Sequence, residues 1–171
     1  MIKNYGLNHE KFLDELDQEL TIKIGRKHYK ELINVSYEVD YLEHSTPDTS
    51  PDEKDDEVER SYLLDTLNKR LNVFEYDRNS RRLVYPNLYP NGLGKCISLV
   101  NAFIRNDAFH INIYIRSQNI LKNFKYDCET MSILMKAGID ALHLKPGKIT
   151  VFCTNLHLCI EDLEQIGESY E

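Results

Sequence analysis

The feature that most constrains the fold is a pair of predicted strands between residues 96 and 116. In residues 109–116 apolar side chains alternate with polar or amphipathic ones, the apolar positions being Phe109, Ile111, Ile113 and Ile115. A period of two is typical of a strand that buries one face. The short polar segment 105–108 separates this strand from another over 96–104. The pattern therefore predicts an antiparallel hairpin inside a larger sheet.

Periodicity predicts further elements on both sides of this hairpin. They are a helix over 8–20, a strand over 32–42, a helix over 57–72, a helix over 128–143, a strand over 148–160 and a short helix over 161–166. Residues 85–94 contain two prolines with Asn and Gly, which indicates a loop. The predicted fold is α/β (α+β), with one mixed, mainly antiparallel sheet and helices on one face.

Two segments carry specific expectations about their buried sides. The predicted buried face of the strand over 32–42 comprises Ile33, Val35, Tyr37, Val39 and Tyr41. The first helix is expected to bury Phe12, Leu13, Leu16 and Leu20, and the second to bury Val58, Tyr62, Leu63, Leu67 and Leu71.

Composition limits the class of protein. The 171 residues are 42% hydrophobic, which predicts a single domain over 1–171 with its own core. Seven acidic residues against two basic ones in 48–60 account for much of the net charge of −7, and we expect a mobile acidic loop at 44–57. A solvated insertion without function is the simpler interpretation of that loop. An acidic protein is a poor partner for duplex nucleic acid.

From the sequence we expect neither membrane insertion nor export. It has no run of 18 apolar residues, and its first residues have no apolar signal core. The four cysteines form no CxxC pair, so we expect reduced thiols in a cytoplasmic protein. Cys153, His157 and Cys159 loosely resemble a metal site, but strand alternation makes that reading the weaker one.

Four positions carry the chemistry of a candidate site. Cys96 follows a Gly-rich loop and Lys95, and a neighbouring cation favours the thiolate form of a cysteine. Arg116 and Ser117 end a strand and offer a donor fork with a hydroxyl, which suits a phosphate. Asp127 and His157 add a carboxylate and an imidazole. Taken singly, these residues also fit a core cysteine, a surface ion pair, a helix cap and a structural histidine.

The spacing of these residues is more specific than their types. The run KCISLVNAFIRNDAFHINIYIRSQNILKNFKYD resembles the catalytic core of the thymidylate synthase family, which includes deoxycytidylate hydroxymethylase. In that family the nucleophilic cysteine precedes an Arg-Ser pair by twenty residues, as Cys96 precedes Arg116. The residue that reads the base follows the serine by ten, as Asp127 follows Ser117. A later histidine follows a glycine by ten, as His157 follows Gly147.

This resemblance covers residues 90–165 and implies a pyrimidine nucleoside monophosphate as substrate. Cys96 would attack C6 of the ring, so that C5 takes up a one-carbon unit from methylenetetrahydrofolate. Arg116 and Ser117 would hold the 5′-phosphate, and His157 would contact the sugar. The family's dUMP enzymes have Asn where this chain has Asp127, while the hydroxymethylase has Asp. A carboxyl group there favours cytosine, and hence dCMP over dUMP.

The resemblance also implies roles for residues outside this core. Arg26 corresponds to the arginine of the family's phosphate loop. Arg81 and Arg82 correspond to an arginine pair that reaches the phosphate of the partner subunit, which implies a homodimer with sheets stacked back to back. Asn119 stands at the position of an aspartate that contacts folate. The resemblance implies no metal.

The departures from the family pattern keep two hypotheses open. The residues flanking the nucleophile differ, being Lys95 and Ile97, and Cys159 stands in place of a tyrosine. The family's catalytic glutamate has no aligned counterpart, and Glu57 or Glu59 are its candidates. One hypothesis is a C5 methyl- or hydroxymethyl-transferase. The alternative is a catalytically degenerate relative that binds a pyrimidine nucleotide or a protein partner without turnover.

Overall fold

A computed structural model describes residues 3–4, 9–41, 53–88 and 94–166 of the chain. Its elements in chain order are β1 (Lys3–Asn4), α1 (His9–Asp17), β2 (Ile22–Ile24), β3 (Lys27–Val39), α2 (Glu53–Arg70), α3 (Val73–Tyr76), β4 (Leu83–Leu88), β5 (Gly94–Arg105), β6 (Ala108–Ile115), β7 (Gln118–Asn119), α4 (Phe124–Leu142), β8 (Lys145–Cys159) and α5 (Ile160–Ile166).

The strands of the described residues form one mixed sheet. Its order is β1-β3-β8-β6-β5-β4, with β2 paired to β3 and β7 paired to β8. The β4–β5, β5–β6 and β3–β8 pairs are antiparallel, whereas β6 and β7 run parallel to β8. The predicted hairpin over 96–116 is therefore confirmed, and it occupies the interior of the sheet.

Helices α1, α2 and α4 pack on one face of this sheet. The alternation on β6 has the expected result, because Phe109, Ile111, Ile113 and Ile115 are all buried. Three aromatic rings join α1, β3 and α4, with centroid distances of 5.3 Å for Phe12–Tyr37, 5.5 Å for Phe12–Phe124 and 5.5 Å for Tyr37–Phe124. Aromatic pairs at this separation add to the free energy gained by burial. The predicted α+β class with helices on one face is confirmed.

The opposite face of the sheet is more exposed. Its central strands present Tyr114 and Phe152, whose rings stack at 5.1 Å, and the Tyr114 side chain is exposed. Phe103 and His110 form a second stacked pair, also with centroids 5.1 Å apart. This face therefore presents stacked ring pairs, whereas the other face packs buried aliphatic and aromatic side chains against the helices.

Several helix predictions need correction. Helix α1 ends at Asp17, so Leu20 lies beyond it and is 85% exposed. Helix α2 begins at Glu53, within the predicted acidic loop, because acidic residues favour the first turn of a helix; residues 44–52 of that loop lie outside the described residues. Leu63, Leu67 and Leu71 are buried as predicted, but Val58 and Tyr62 are exposed.

Two strand predictions were also wrong in part. Residues 83–88 form β4 although 85–94 was predicted to be a loop, and Leu83, Tyr85 and Asn87 point into the core. A proline is tolerated there because β4 is an edge strand of the described sheet. On β3, Ile33 is 58% exposed rather than buried. The next residue, Asn34, has φ 55°, a left-handed conformation that interrupts the alternation.

A glycine in α4 provides a test of the packing between helix and sheet. A Cβ atom at Gly138 would overlap the ring of Phe109, which is fully buried on β6. Gly→Ala in a helix normally stabilises the helix by about 1 kcal/mol. At this position we expect Gly138→Ala to lower the free energy of unfolding by about 1–3 kcal/mol instead, because the core is overpacked.

Urea denaturation of Gly138→Ala measures this loss. The control is the double variant Gly138→Ala with Phe109→Leu, in which the smaller side chain makes room for the methyl group. We expect the alanine to cost less in the Phe109→Leu background than in wild type. An equal cost in both backgrounds would contradict the contact.

Candidate functional site

Three of the predicted site residues line one open cleft at the end of β6. The cleft has a volume of about 360 Å³, within the range of small-ligand sites. Its lining residues are Ile24, Tyr29, Glu31, Arg116, Ser117, Asn155 and His157. The structure thus brings Arg116 and Ser117, in the connection from β6 to β7, together with His157 on β8.

The parallel register of β6 and β7 with β8 produces this arrangement. Ile115 pairs with Cys153 and Gln118 pairs with Leu156, so the Arg116-Ser117 connection runs beside residues 154–155. Arg116 is exposed, and the Ser117 hydroxyl lies 3.3 Å from His157 Nδ1. A guanidinium and a hydroxyl therefore face the same space as an imidazole.

His157 is held in a half-buried position between strands. Its ring meets Tyr29 edge to face at 5.6 Å, and Glu31 is its register partner on β3. Burial lowers the pKa of His157 below 6.5, although Glu31 works in the opposite direction. At neutral pH the imidazole is neutral, so it can donate one hydrogen bond and accept another.

Cys96 lies beside Arg116 on the neighbouring strand. The Arg116 backbone N–H donates to the Cys96 carbonyl at 2.8 Å. Cys96 is exposed, while Cys128, Cys153 and Cys159 are buried, and none of the four forms a disulfide. Burial raises the pKa of the Cys153 thiol to about 12 and that of Cys128 well above its usual value. Exposure makes Cys96 the thiol best placed to react with a ligand.

A carboxylate on α2 lies close to the Cys96 strand. Asn87 is fully buried, and its Nδ2 donates both to the Glu59 carboxylate and to the Ile97 carbonyl, the latter at 2.9 Å. The Asn87 bridge therefore links Glu59 to the residue that follows Cys96. Glu57, the other candidate from the sequence, is exposed.

Asp127 belongs to a buried polar chain rather than to a helix cap. It sits in the first turn of α4, which begins at Phe124, so the N-cap interpretation is wrong. Gln118 Nε2 donates to Asp127 Oδ2 at 2.8 Å, and the Tyr37 hydroxyl donates to Gln118 Oε1 at 2.6 Å. Sequence reasoning missed Gln118 and Tyr37. The position of Gln118 next to Ser117 could have marked it as a site residue. Tyr37 was predicted only as part of the buried face of its strand.

Asn119 organises the turn after β7. Its Oδ1 accepts from the backbone N–H groups of Leu121 and Lys122 at 2.9 and 3.2 Å, and its Nδ2 donates to Asp162 at 3.0 Å. Lys122 Nζ also bonds Asp162 at 2.8 Å. Burial opposes ionisation of Asp162, but these hydrogen bonds hold the pKa of its carboxyl below the usual value. Asn119 therefore uses its amide to fasten α5 to this turn.

The three remaining arginines lie away from the centre of the cleft. Arg26 is exposed in the tight turn between β2 and β3, two residues from Ile24 of the cleft lining. Arg81 and Arg82 are exposed just before β4, where Leu83 pairs with Ala102. That level is about 20 Å along the sheet from Cys96, at about 3.3 Å per residue. The structure does not bring Arg81 and Arg82 into the cleft of their own chain.

A second open cleft of about 350 Å³ adjoins the first on the exposed sheet face. Arg116 lines both clefts, and the second is also lined by Ser98, Tyr114, Phe152 and Thr154. Within the described ranges, no group of three His, Cys, Asp or Glu side chains could hold a metal ion. No described helix is long and apolar enough to cross a membrane.

Comparison with known proteins gives one distant similarity and no family assignment. No family model matches the chain. Thymidylate synthase from Mycoplasma genitalium is 26% identical over 108 residues, which cover 60% of this chain and 38% of that protein. The chain thus matches well under half of the length of that relative. The finding is a distant similarity to thymidylate synthase.

The contact between α5 and β3 gives a pH-dependent prediction. Glu161 accepts from His28 Nδ1 at 2.8 Å and from the His28 backbone N–H at 3.0 Å, and these bonds lower the pKa of its carboxyl from 4.5 to about 2. A depressed pKa stabilises the folded state above pH 4.5, and this contribution is lost as the pH falls toward 2.

We therefore expect wild type to unfold at higher urea concentration than Glu161→Gln at pH 6. The difference between their midpoints should shrink steadily between pH 4.5 and pH 2, because the protonated glutamate resembles glutamine. The other carboxylates titrate in both wild type and Glu161→Gln, so their effect on stability cancels in the difference. A midpoint difference that stays constant over this range would show that the ionised contact contributes nothing.

Proposed function

We propose that the chain binds a pyrimidine nucleoside 5′-monophosphate, dCMP rather than dUMP, and acts on C5 of the base through Cys96. The observation that supports this most is the shared cleft of Arg116, Ser117 and His157, with the exposed Cys96 on the adjoining strand. The distant similarity to thymidylate synthase supports the same class of chemistry.

The phosphate would bind at the open end of the cleft. Arg116 offers a planar fork of donors and Ser117 a hydroxyl, and both line the cleft. Arg26 lies at the tip of the adjacent hairpin, two residues from Ile24 of the cleft lining, and is proposed as a further phosphate ligand. His157, neutral at pH 7, would then face the sugar, where a hydroxyl can both donate and accept.

Covalent catalysis would begin with addition of the Cys96 thiolate to C6. The S–C6 bond forms, and the electron pair of the C5–C6 double bond moves to C5 and is delocalised into the ring carbonyl system. C5 then takes up an electrophile or a proton, and loss of the C5 hydrogen with expulsion of the thiolate restores the ring. Glu59, tied to the Cys96 strand through Asn87, is the carboxylate proposed to carry a proton in this sequence.

Asp127 is the proposed reader of the base. Cytosine presents an amino donor at C4 and a bare acceptor at N3, whereas uracil presents a carbonyl and an N–H. A carboxyl group can accept from the amino group, and in its neutral form can also donate to N3. This pattern favours dCMP.

The structure also bears on the one-carbon donor of the proposed reaction. The relationship to thymidylate synthase is consistent with a family that uses methylenetetrahydrofolate. Asn119 stands at the folate-contact position. Its side-chain amide accepts from the backbone N–H groups of Leu121 and Lys122 and donates to Asp162. That residue does not fit a folate contact, so no step of the mechanism is assigned to the cofactor.

A homodimer would explain two features that a single chain leaves open. Arg81 and Arg82 lie too far away to reach the cleft of their own chain, and they would reach that of a partner subunit. The exposed sheet face, with the stacked Tyr114 and Phe152, would be the interface. We also propose that the protein acts in the cytoplasm, on mononucleotides rather than duplex nucleic acid.

Binding without turnover is the alternative function. It is favoured by the internal hydrogen bonds of Asn119, which occupy the side chain at the position of the family's folate contact. In that case Arg116, Ser117 and His157 would still hold the nucleotide. Replacing Cys96 would leave the affinity for the nucleotide unchanged.

The test compares release of tritium from [5-³H]dCMP and [5-³H]dUMP with calorimetric binding of the unlabelled nucleotides. We expect tritium release from dCMP that is abolished by Cys96→Ser, while this variant retains binding. Arg116→Ala should weaken dCMP binding about tenfold to a hundredfold, because a charged hydrogen-bond donor to phosphate is lost.

The matched control is Arg78→Ala, which removes an exposed arginine paired with Asp107 at the far end of the sheet. This variant should bind dCMP like wild type. Binding without tritium release in wild type would favour the alternative function. No binding of either nucleotide by wild type would refute the proposal.

A further inference from the structure

The cleft at the end of β6 contains two opposite charges that do not pair with each other. Arg116 and Glu31 both line it, yet neither side chain forms a salt bridge or a hydrogen bond with another described residue. Both groups are therefore available to a ligand. The guanidinium can hold an anion, and the carboxylate can accept from a hydrogen-bond donor.

Strand order explains why these two side chains remain apart. Glu31 lies on β3 and is the register partner of His157 on β8. Arg116 follows β6, which borders β8 on the other side. Neighbouring strands are about 4.8 Å apart, so the backbones of Glu31 and Arg116 are about 10 Å apart across the sheet. His157 lies between them, with its Nδ1 3.3 Å from the Ser117 hydroxyl. The cleft thus has a cationic end, an imidazole in the middle and an anionic end.

The anionic end continues into a second region of negative charge. Glu31 also lines an adjoining cleft of about 400 Å³ beside β3, which Glu15 and Glu19 line as well. None of the described residues that line this adjoining cleft is basic. A ligand group that extends past Glu31 would therefore meet carboxylates as its charged neighbours, which disfavours a second anion at this end.

A nucleoside 5′-monophosphate matches this order of groups. When its 5′-phosphate lies on Arg116 and Ser117 and its sugar lies at His157, as proposed above, the 3′-hydroxyl would point along the cleft toward Glu31. A carboxylate accepts hydrogen bonds and a hydroxyl can donate one to it. A 3′-phosphate would instead place further negative charge against Glu31.

Building on the proposed function, we propose that Glu31 accepts a hydrogen bond from the sugar 3′-hydroxyl and so restricts the cleft to nucleotides whose 3′-hydroxyl is free. Glu31 would determine specificity without taking part in the chemistry at C5. Ligands with a 3′-phosphate, including nucleotides inside a polynucleotide, would be excluded by charge repulsion. The proposed preference for mononucleotides would then have a local cause in one side chain, beyond the net charge of the protein.

Calorimetry with three ligands tests this inference and requires no turnover. The ligands are dCMP, 2′,3′-dideoxycytidine 5′-monophosphate, which lacks the 3′-hydroxyl, and deoxycytidine 3′,5′-bisphosphate. Wild type should bind each altered ligand about tenfold or more weakly than dCMP, because the first loses a hydrogen bond to a charged group and the second is repelled. In Glu31→Gln, which keeps the size of the side chain, both preferences should fall about fivefold or more, because a neutral amide accepts more weakly and does not repel a phosphate.

The matched control is Glu38→Gln. Glu38 is another half-buried glutamate of β3, but it accepts from Lys148 Nζ at 2.7 Å and lines neither of the clefts that Glu31 borders. This variant removes the same charge from the same strand, so both preferences should stay at their wild-type values. An equal fall in Glu38→Gln would show an effect of net charge rather than of contact, and would overturn the inference.

The outcomes separate this inference from the proposed function. If wild type binds dCMP and both altered ligands equally well, or if both preferences survive Glu31→Gln, the inference fails and the proposed function stands. A fall confined to the bisphosphate would show repulsion without the hydrogen bond, and would overturn the contact with the 3′-hydroxyl. If wild type does not bind dCMP, the proposed function fails first and the inference fails with it.

Discussion

The parallel pairing of β6 and β7 with β8 is the constraint on which the candidate site depends. It sets Arg116 and Ser117 beside residues 154–155 and puts His157 level with Asn119. The antiparallel partner β5 brings Cys96 to the other side of Arg116. A slip of one residue in either pairing would send these side chains to the opposite face of the sheet. Burial of Ile111, Ile113 and Ile115 against the helices therefore also fixes the geometry of the cleft.

Polar groups in this region divide into two sets. The first set is buried or half-buried: Tyr37 donates to Gln118, Gln118 donates to Asp127, and Asn119 donates to Asp162. These bonds hold β3, β7, α4 and α5 together. Arg116 and Cys96 are exposed beside the cleft. Asp127 stands between the two sets, since it is buried and bonded to Gln118 yet proposed to read the base. This division lets the framework stay rigid while the exposed groups remain accessible to a ligand.

Sequence patterns predicted the parts of the fold that depend on local alternation. The strand of Phe109–Ile115 and the stripe of Leu63, Leu67 and Leu71 were found because burial dictates their spacing. Strand β4 was missed because Pro86 and Asn87 are typical of turns, although an edge strand tolerates both. Exposure of Ile33 depends on the left-handed backbone at Asn34, which alternation does not reveal.

The site was predictable only in part, for a related reason. Spacing along the chain identified Arg116, Ser117 and His157, and their meeting in one cleft follows from strand register. The partnership of Gln118 with Tyr37 joins residues 81 positions apart, and nothing local to either one indicates it. Asn119 was predicted to contact folate, and its internal hydrogen bond to Asp162 could not be foreseen because it forms only when α5 is in place.

The most direct test of the account is a crystal structure of the chain with dCMP. We expect the 5′-phosphate within about 3 Å of the Arg116 guanidinium and the Ser117 hydroxyl, as hydrogen bonding requires. The cytosine edge should face Asp127, with C6 next to the Cys96 sulfur. A nucleotide bound away from the Arg116–His157 cleft, or with its base turned from Asp127, would contradict the account.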